Sequence, residues 1–345
     1  MKRKSIEQFH LKSSNIYKKS DLKVGEIAMI DSIDLIILNV ENLDFLYLKN
    51  VLKITNIKRY RNNQKKSYSY SFKYKDITFK YNATYKYLLI ITLVKKLLNK
   101  MDITLSDKST YESIVNNIIK EVLKSNKFVY YVSRIDYCVD IQADEYEYMY
   151  IKLLNKHRSW FKYMVKKRKY ETSVHLNNKY GGTNFNFYSK YPECKEIEYR
   201  GIIRLEIQVK RAKINNELKS FGILRCLDNY WNKDAMDFYF FEYIKPYFYE
   251  GDYYKKQISK QIINNSDYSR NMQDKLKKFI LLIEVYGIDN IIKRKICCDS
   301  TYKSYVEKLN KLNVNPICIP KEWKYDKLTN LLKLAKEKAM YDYFK

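Results

Sequence analysis

Three stretches of the chain alternate polar and apolar residues with a period of two: VSRIDYCVDI at 132–141, TNFNFYSK at 183–190 and IIRLEIQVKR at 202–211. Successive strand side chains point to opposite faces, so parity divides each stretch. In the first, Arg134, Asp136, Cys138 and Asp140 oppose Ile135, Tyr137, Val139 and Ile141. In the second, Asn184, Asn186, Tyr188 and Lys190 oppose Phe185 and Phe187. In the third, Arg204, Glu206, Gln208 and Lys210 oppose Ile203, Leu205, Ile207 and Val209. If the three strands share one sheet over one core, the other face gathers carboxylates, arginines, a lysine and a tyrosine. That set suits metal-assisted phosphoryl transfer with a tyrosine nucleophile. It also describes the salt-bridged solvent face of an ordinary sheet.

The remaining pattern frames these strands. Residues 27–40 read as a buried strand and 41–54 as a short helix or its surroundings. From 66 to 94, polar and aromatic residues alternate around weak turns, which predicts two or three antiparallel strands whose tyrosines pack across strands rather than stack on bases. Residues 109–125 have helical spacing with Ser109 or Thr110 as cap, and 144–157 form a further helix. A hairpin joins 173–179 to 183–190 through Tyr180, Gly181 and Gly182. After about Lys213 the pattern is helical: 215–223, 235–249, 273–287, 288–295 and 300–312. The expected fold class is α+β, an antiparallel sheet flanked by helices over 26–215 and an all-helical region over 216–345. Residues 1–25 read as a basic arm.

In the helical region, Met272, Leu276, Phe279, Ile280 and Ile283 form one stripe. Asp299, Ser300 and Thr301 can cap a later helix, with Tyr302, Val306 and Leu309 inward and Lys303, Ser304, Lys308 and Lys311 outward. A tri-helical unit with a basic last helix suits major-groove docking, and equally an ordinary bundle or a partner-binding surface.

Composition changes the picture at three points. Lys and Arg number 66 against 39 Asp and Glu, a formal charge of +27, which points to a polyanion such as nucleic acid. Lys, Asn, Ile and Tyr also share AT-rich codons, so coding bias is the competing explanation. The six cysteines have no C-x-x-C spacing, which argues against a zinc ribbon or a disulfide framework. No run of about 18 uncharged apolar residues occurs, and the basic N-terminus has no apolar stretch behind it. The expectation is a soluble, intracellular protein.

A tyrosine phenol, with a pKa of about 10, needs roughly 4 kcal/mol of phenolate stabilisation to ionise at neutrality. Lys190 on the same face and a nearby divalent cation are the candidates to supply it. Asp136 and Glu206 are hard oxygen donors of the kind Mg2+ or Mn2+ takes, and Arg134 and Arg204 are candidates to grip phosphate. With 36 tyrosines in the chain, composition alone does not single out Tyr188.

The ordered set SRID at 133–136, FNFYSKYPE at 185–193, GIIRLEIQVKR at 201–211 and KSFGI at 219–223 resembles the filamentous-phage gene II type of replication initiator. Plasmid replication-initiation factors, with similar Arg-Ile-Asp and Arg-apolar-Glu strands, look like cousins. The resemblance implies a rolling-circle initiator. Such a protein nicks one strand at its origin, keeps the 5′-phosphate on a tyrosine, releases a 3′-hydroxyl primer and reseals the strand. Tyr188 matches the nucleophile, and Asp136 and Glu206 match the acidic positions. With Tyr188, Lys190 and Arg204 complete the expected catalytic set, and Arg134, Lys210, Arg211, Lys303, Lys308 and Lys311 the expected DNA contacts. The implied partners are DNA, single-stranded at the nick and duplex at the origin, and a host helicase with its replication machinery in the bacterial cytoplasm.

The chain departs from relaxases with a His-apolar-His metal motif, for its histidines are His10, His157 and His175. His175 is a third ligand, a general base or a structural residue. Asp140 is a supporting group, and Glu193 a base or a loop charge. Two other readings stand beside the nickase: a non-catalytic origin-binding protein that recruits replication factors, and a hydrolytic nuclease that leaves no protein–DNA adduct.

Overall fold

The computed structural model describes residues 30–62, 67–100, 103–156, 164–169, 171–178, 181–243 and 249–341. The basic arm, His10, His157 and Tyr180 of the expected hairpin turn lie outside them. The strands are β1 (Ile30–Leu38), β2 (Lys58–Asn62), β3 (Ser67–Tyr74), β4 (Ile77–Asn82), β5 (Tyr87–Leu93), β6 (Tyr130–Gln142), β7 (Met164–Lys169), β8 (Ser173–Asn178), β9 (Thr183–Ser189) and β10 (Ile202–Lys210). They form one antiparallel sheet in the order β2–β3–β4–β5–β1–β6–β10–β9–β8–β7. The longer helices are α1 (Asp107–Leu123), α2 (Glu147–Leu154), α3 (Arg211–Phe221), α4 (Lys256–Asn264), α5 (Arg270–Tyr286), α6 (Asp299–Lys311) and α7 (Leu331–Tyr341). The architecture is therefore α+β, with a helical C-terminal region.

One face of the sheet is apolar from β4 across to β9. Ile33, Leu35 and Ile37 of β1, Phe79 of β4, Ile90 of β5, Ile135 and Tyr137 of β6, Phe185 and Phe187 of β9, and Leu205 and Ile207 of β10 are all buried. Each such side chain contributes about 1.5–3 kcal/mol when taken out of water. The Tyr137 ring stacks on Tyr239 at 5.5 Å, and its hydroxyl donates to the Tyr230 carbonyl at 2.6 Å. The same core continues to Phe279 and Ile280 of α5 and Leu309 of α6. The Tyr150 hydroxyl on α2 donates to the Thr329 carbonyl at 2.8 Å, tying the two regions together.

Local details differ from the sequence reading. The strands expected from residue 66 onward begin earlier, for Lys58–Asn62 form the edge strand β2, whose backbone is satisfied by pairing with β3. Helix α1 starts at Asp107, so Ser109 and Thr110 lie inside it and cap nothing. The Asp107 carboxylate instead accepts from the Thr104 backbone N–H at 2.8 Å. Cys298 takes the cap position of α6, which makes Asp299, Ser300 and Thr301 first-turn residues. Helix α2 is shorter than expected, since left-handed Asp144 begins a 3-10 turn ahead of it.

Asp252 ties the C-terminal region together. Its carboxylate accepts from the Asn330 backbone N–H at 3.0 Å, Asn313 Nδ2 at 3.0 Å and Lys333 Nζ at 2.8 Å. Beside it, a Cβ on Gly251 would sit 2.3 Å from the Val314 carbonyl carbon and 2.5 Å from the Asn315 nitrogen. Both neighbours are backbone and cannot swing away. Gly251→Ala is expected to cost about 2–3 kcal/mol of stability, read from urea denaturation. An unchanged midpoint would show that the two segments part freely.

Candidate active site on the polar face of the sheet

The ladder fixes which polar residues meet. On β10, Arg204 stands opposite Asp140 of β6 and Tyr188 of β9, and Glu206 opposite Cys138 and Asn186. Gln208 faces Asp136 and Asn184, and Lys210 faces Arg134. From β8, Ser173 lies opposite Tyr188 and His175 opposite Asn186. The sheet thus brings Arg134, Asp136, Asp140, His175, Tyr188, Arg204, Glu206 and Lys210 onto one face.

Strand β1 supplies residues that parity did not anticipate. A bulge between Ile30 and Ser32 lets both Asp31 and Ser32 reach this face. Ser32 Oγ donates to Asp136 Oδ2 at 2.7 Å, and Arg204 Nη1 donates to Asp31 Oδ1 at 2.8 Å. The signal for them was present as polar residues inside the apolar run of 27–40.

Three hydrogen-bonded groups make up the site. Arg204, only 4% exposed, donates through Nε and Nη2 to Asp140 at 2.6 and 2.7 Å, and through Nη1 to Asp31. Its fork is filled by the protein's own carboxylates. Burial pushes the Asp140 carboxyl up, but the Arg204 hydrogen bonds and charge outweigh it and hold the group below its usual range. Asp136, 2% exposed, accepts from Ser32 and from Arg134 Nε at 2.8 Å and Nη2. Here burial outweighs Arg134, and the carboxyl is pushed up to about 7. Glu206, 7% exposed, accepts from Asn186 Nδ2 at 3.0 Å, Gln208 Nε2 at 2.6 Å and the Tyr188 hydroxyl at 3.2 Å.

Tyr188 is therefore a neutral phenol bonded to a carboxylate. Burial first, then the Glu206 charge, push its pKa well above the usual value, while Arg204 opposes them. The lowering expected from Lys190 does not prevail. The Lys190 ammonium lies 6.0 Å from the Tyr188 ring centre and pairs with Glu193 at 3.2 Å. His175 bonds Asn186 Oδ1 at 2.9 Å and Ser173 Oγ at 3.1 Å, so Asn186 stands between it and Glu206.

Asp136 and Glu206 are diagonal neighbours on β6 and β10. Among the described residues, no group of three or more His, Cys, Asp or Glu side chains converges to hold a metal ion. Basic residues flank the site at the Lys210 end. There Arg211 opens α3, and its charge adds to burial in lowering the pKa of Arg225, whose guanidinium lies 5.4 Å over the Tyr131 ring. Lys95 acts on Asp140 from the other end. Lys303, Lys308 and Lys311 lie apart on α6. Lys303 and Lys311 are exposed, while Lys308 donates to Ser304 Oγ at 2.9 Å.

No protein-family model matches this chain, and no curated protein matches it. Among solved structures it is similar to a rolling circle replication initiator protein from Geobacillus stearothermophilus, at 13% identity and a TM-score of 0.27 over 56% of this chain and 78% of that one. It is also similar to the TBP of Methanococcus jannaschii, at 10% identity and a TM-score of 0.30 over 55% of this chain and 93% of that one. Likenesses at this level carry no argument about function. No helix among the described residues is long and apolar enough to cross a membrane.

Proposed function

We propose that the protein is a rolling-circle replication initiator that nicks and reseals one DNA strand at an origin through Tyr188. The observation that carries the reading is the Tyr188 hydroxyl held on the Glu206 carboxylate at 3.2 Å, on a sheet face lined by arginines and a lysine. The ordered motifs of residues 133–223 support it. In the reaction, the Tyr188 oxygen forms a bond to phosphorus and its proton passes to Glu206. The bond to the 3′ oxygen breaks, that oxygen takes a proton from solvent, and the 5′-phosphate stays on the tyrosine. Attack by a 3′-hydroxyl on this phosphotyrosine reverses the steps. Glu206 suits the base role because Asn186 and Gln208 fix its other oxygen. Arg204 orients the site by clamping Asp140 and Asp31. Arg134, one third exposed, remains the proposed phosphate contact, with Lys210 and Arg211 beside it.

Asp136 and Glu206 are also the proposed ligands of a Mg2+ or Mn2+ ion. Both are hard oxygen donors, and Asp136 is a buried carboxylate that Arg134 does not fully compensate. When bound, the ion would draw charge from the scissile phosphate. Lys303, Lys308 and Lys311 are the proposed duplex contacts, and a host helicase is the proposed partner. The raised phenol pKa favours the second reading, a non-catalytic origin-binding protein that recruits replication factors.

The deciding experiment is a labelled single-stranded origin oligonucleotide incubated with Mg2+ or Mn2+ and run on a denaturing gel. A labelled protein band is expected. Cleavage without that band means hydrolysis, and binding without cleavage means the second reading. Glu206→Gln is expected to slow adduct formation by about 100-fold or more while DNA affinity changes less than about threefold. Chelation is expected to stop the reaction, and Asp136→Asn to weaken Mn2+ binding measured by calorimetry. Full adduct formation in excess chelator would remove the ion and leave the tyrosine in place.

A further inference from the structure

The sheet has a two-fold pattern that the sequence conceals. Read outward from its centre, the strands run β1–β5–β4–β3–β2 on one side and β6–β10–β9–β8–β7 on the other. Each side begins with a central strand and a short helix, Phe45–Asn50 or α2. Four strands then return from the edge to the centre, followed by α1 or α3. The registers agree with this. The central ladder pairs Ile33 with Ile135, and its two irregularities fall at Asp31 on β1 and Ser133 on β6. A two-fold axis through the Ile33–Ile135 pair exchanges those two positions. Random pairing gives no reason for bulges to be placed symmetrically.

Following the ladders outward sets each residue of the second half against one in the first. Asp34 takes the place of Asp136, Leu89 that of Glu206 and Tyr87 that of Arg204. Asn82 takes the place of Tyr188, and Ser69 that of Ser173. The first half thus keeps the scaffold and one carboxylate, but at the places of Tyr188 and Glu206 it has Asn82 and Leu89 and so no phenol–carboxylate pair there. Its polar face carries something else. Lys58, Tyr60, Lys73 and Lys80 are exposed on it, around Ser69, Ser71 and Thr78. Lys75, Lys86 and Lys96 in the same half hold Glu121, Glu41 and Asp76. Among the described residues, Lys58, Lys73 and Lys80 form no ion pair. Tyr60 is 51% exposed beside them, an aromatic ring among exposed cations.

We propose that β1–β5 is a duplicate of β6–β10 that has lost the reacting side chains, and that its polar face docks the DNA strand beyond the nick. The proposal rests on the nicking reading of Tyr188. Five strand spacings of about 4.8 Å separate β4 from β9, and the ladders set Lys80 about nine residues along the strands from Tyr188, so the two lie roughly 24 Å apart across the sheet and roughly 30 Å along it, about 38 Å in all. At about 3.4 Å per nucleotide that is roughly eleven nucleotides. Short substrates end before this face and long ones cross it.

The test compares wild type with a Lys58→Ala, Lys73→Ala, Lys80→Ala triple variant on single-stranded oligonucleotides of about 10 and about 40 nucleotides centred on the nick. For the 40-mer, the variant is expected to bind about tenfold more weakly, with a log–log salt slope shallower by about 2, since each single-strand phosphate contact contributes about −0.7. The 10-mer affinity and the rate of its adduct formation are expected to be unchanged. The three lysines are exposed, so the thermal midpoint should hold. A single Lys80→Glu variant should weaken the 40-mer alone in the same direction. An unchanged 40-mer affinity overturns the docking proposal, even if Tyr188→Phe still abolishes the adduct. A loss that follows Lys303, Lys308 and Lys311 instead also overturns it, placing the track on α6. Absence of any adduct in the wild type, with both lengths bound, overturns the nicking reading and leaves the docking face in place.

Discussion

Tyr188→Phe is expected to abolish the protein–DNA adduct, a loss on the order of 10^4-fold or more, because it removes the oxygen that forms the bond to phosphorus. The substitution removes one oxygen and leaves the ring between its neighbours on the sheet. The Glu206 carboxylate keeps its bonds from Asn186 and Gln208, so the folding cost should be near the ordinary net value of one hydrogen bond, about 1 kcal/mol. DNA affinity should therefore stay within about threefold. Tyr191→Phe is the matched control. Its hydroxyl meets Arg200 Nη2 at 3.4 Å and touches neither carboxylate, so adduct formation should persist. Loss of binding together with nicking in the Tyr188 variant would make that tyrosine a structural residue. An adduct that persists in it would move the nucleophile elsewhere.

Replacing Arg204 is expected to have the largest effect on stability. Arg204→Met leaves Asp140 and Asp31 without the cation that holds them, and both carboxylates are at least three-quarters buried. Breaking one side of such a group costs about 3–5 kcal/mol. The residual exposure of the two acids puts the expectation near 3 kcal/mol, read as a loss of unfolding free energy in urea. Arg204→Lys keeps the charge but cannot bridge both acids with a planar fork, and should cost about half as much. Asp140→Asn in the Met background should recover part of the loss, since it removes one stranded charge. If Arg204→Met is as stable as wild type, the cluster carries no stability and Arg204 becomes available for phosphate.

That distinction shows where sequence reasoning stopped. It placed Arg204 on the polar face and assigned it to phosphate, because an arginine in a strand gives no sign of its partner. The partner Asp31 is 173 residues away in the chain, on a strand whose bulge no parity rule anticipates. Tyr188 shows the same limit. Lys190, two residues on, suggested a lowered pKa, yet Glu206 on the next strand lies closer to the phenol and acts with burial to raise it. The two groups carry one charge each, and burial with the nearer of them prevails.

The sequence by itself determined which residues of β6, β9 and β10 share a face, because a strand's two-residue period depends only on its own backbone. It also determined the apolar stripe of α5, where Leu276, Phe279, Ile280 and Ile283 are buried as their spacing requires. The tertiary structure alone decided the order and register of the strands, which follow from hydrogen-bond ladders and a core shared across the whole sheet. Register is what joins Arg204 to Asp140, Tyr188 to Glu206 and Ser32 to Asp136. It also reveals the two-fold relation between the halves. That relation lies in how backbones pair, and on the solvent side, where side chains are free to diverge, only pairs such as Asp34 with Asp136 and Ser69 with Ser173 still carry it.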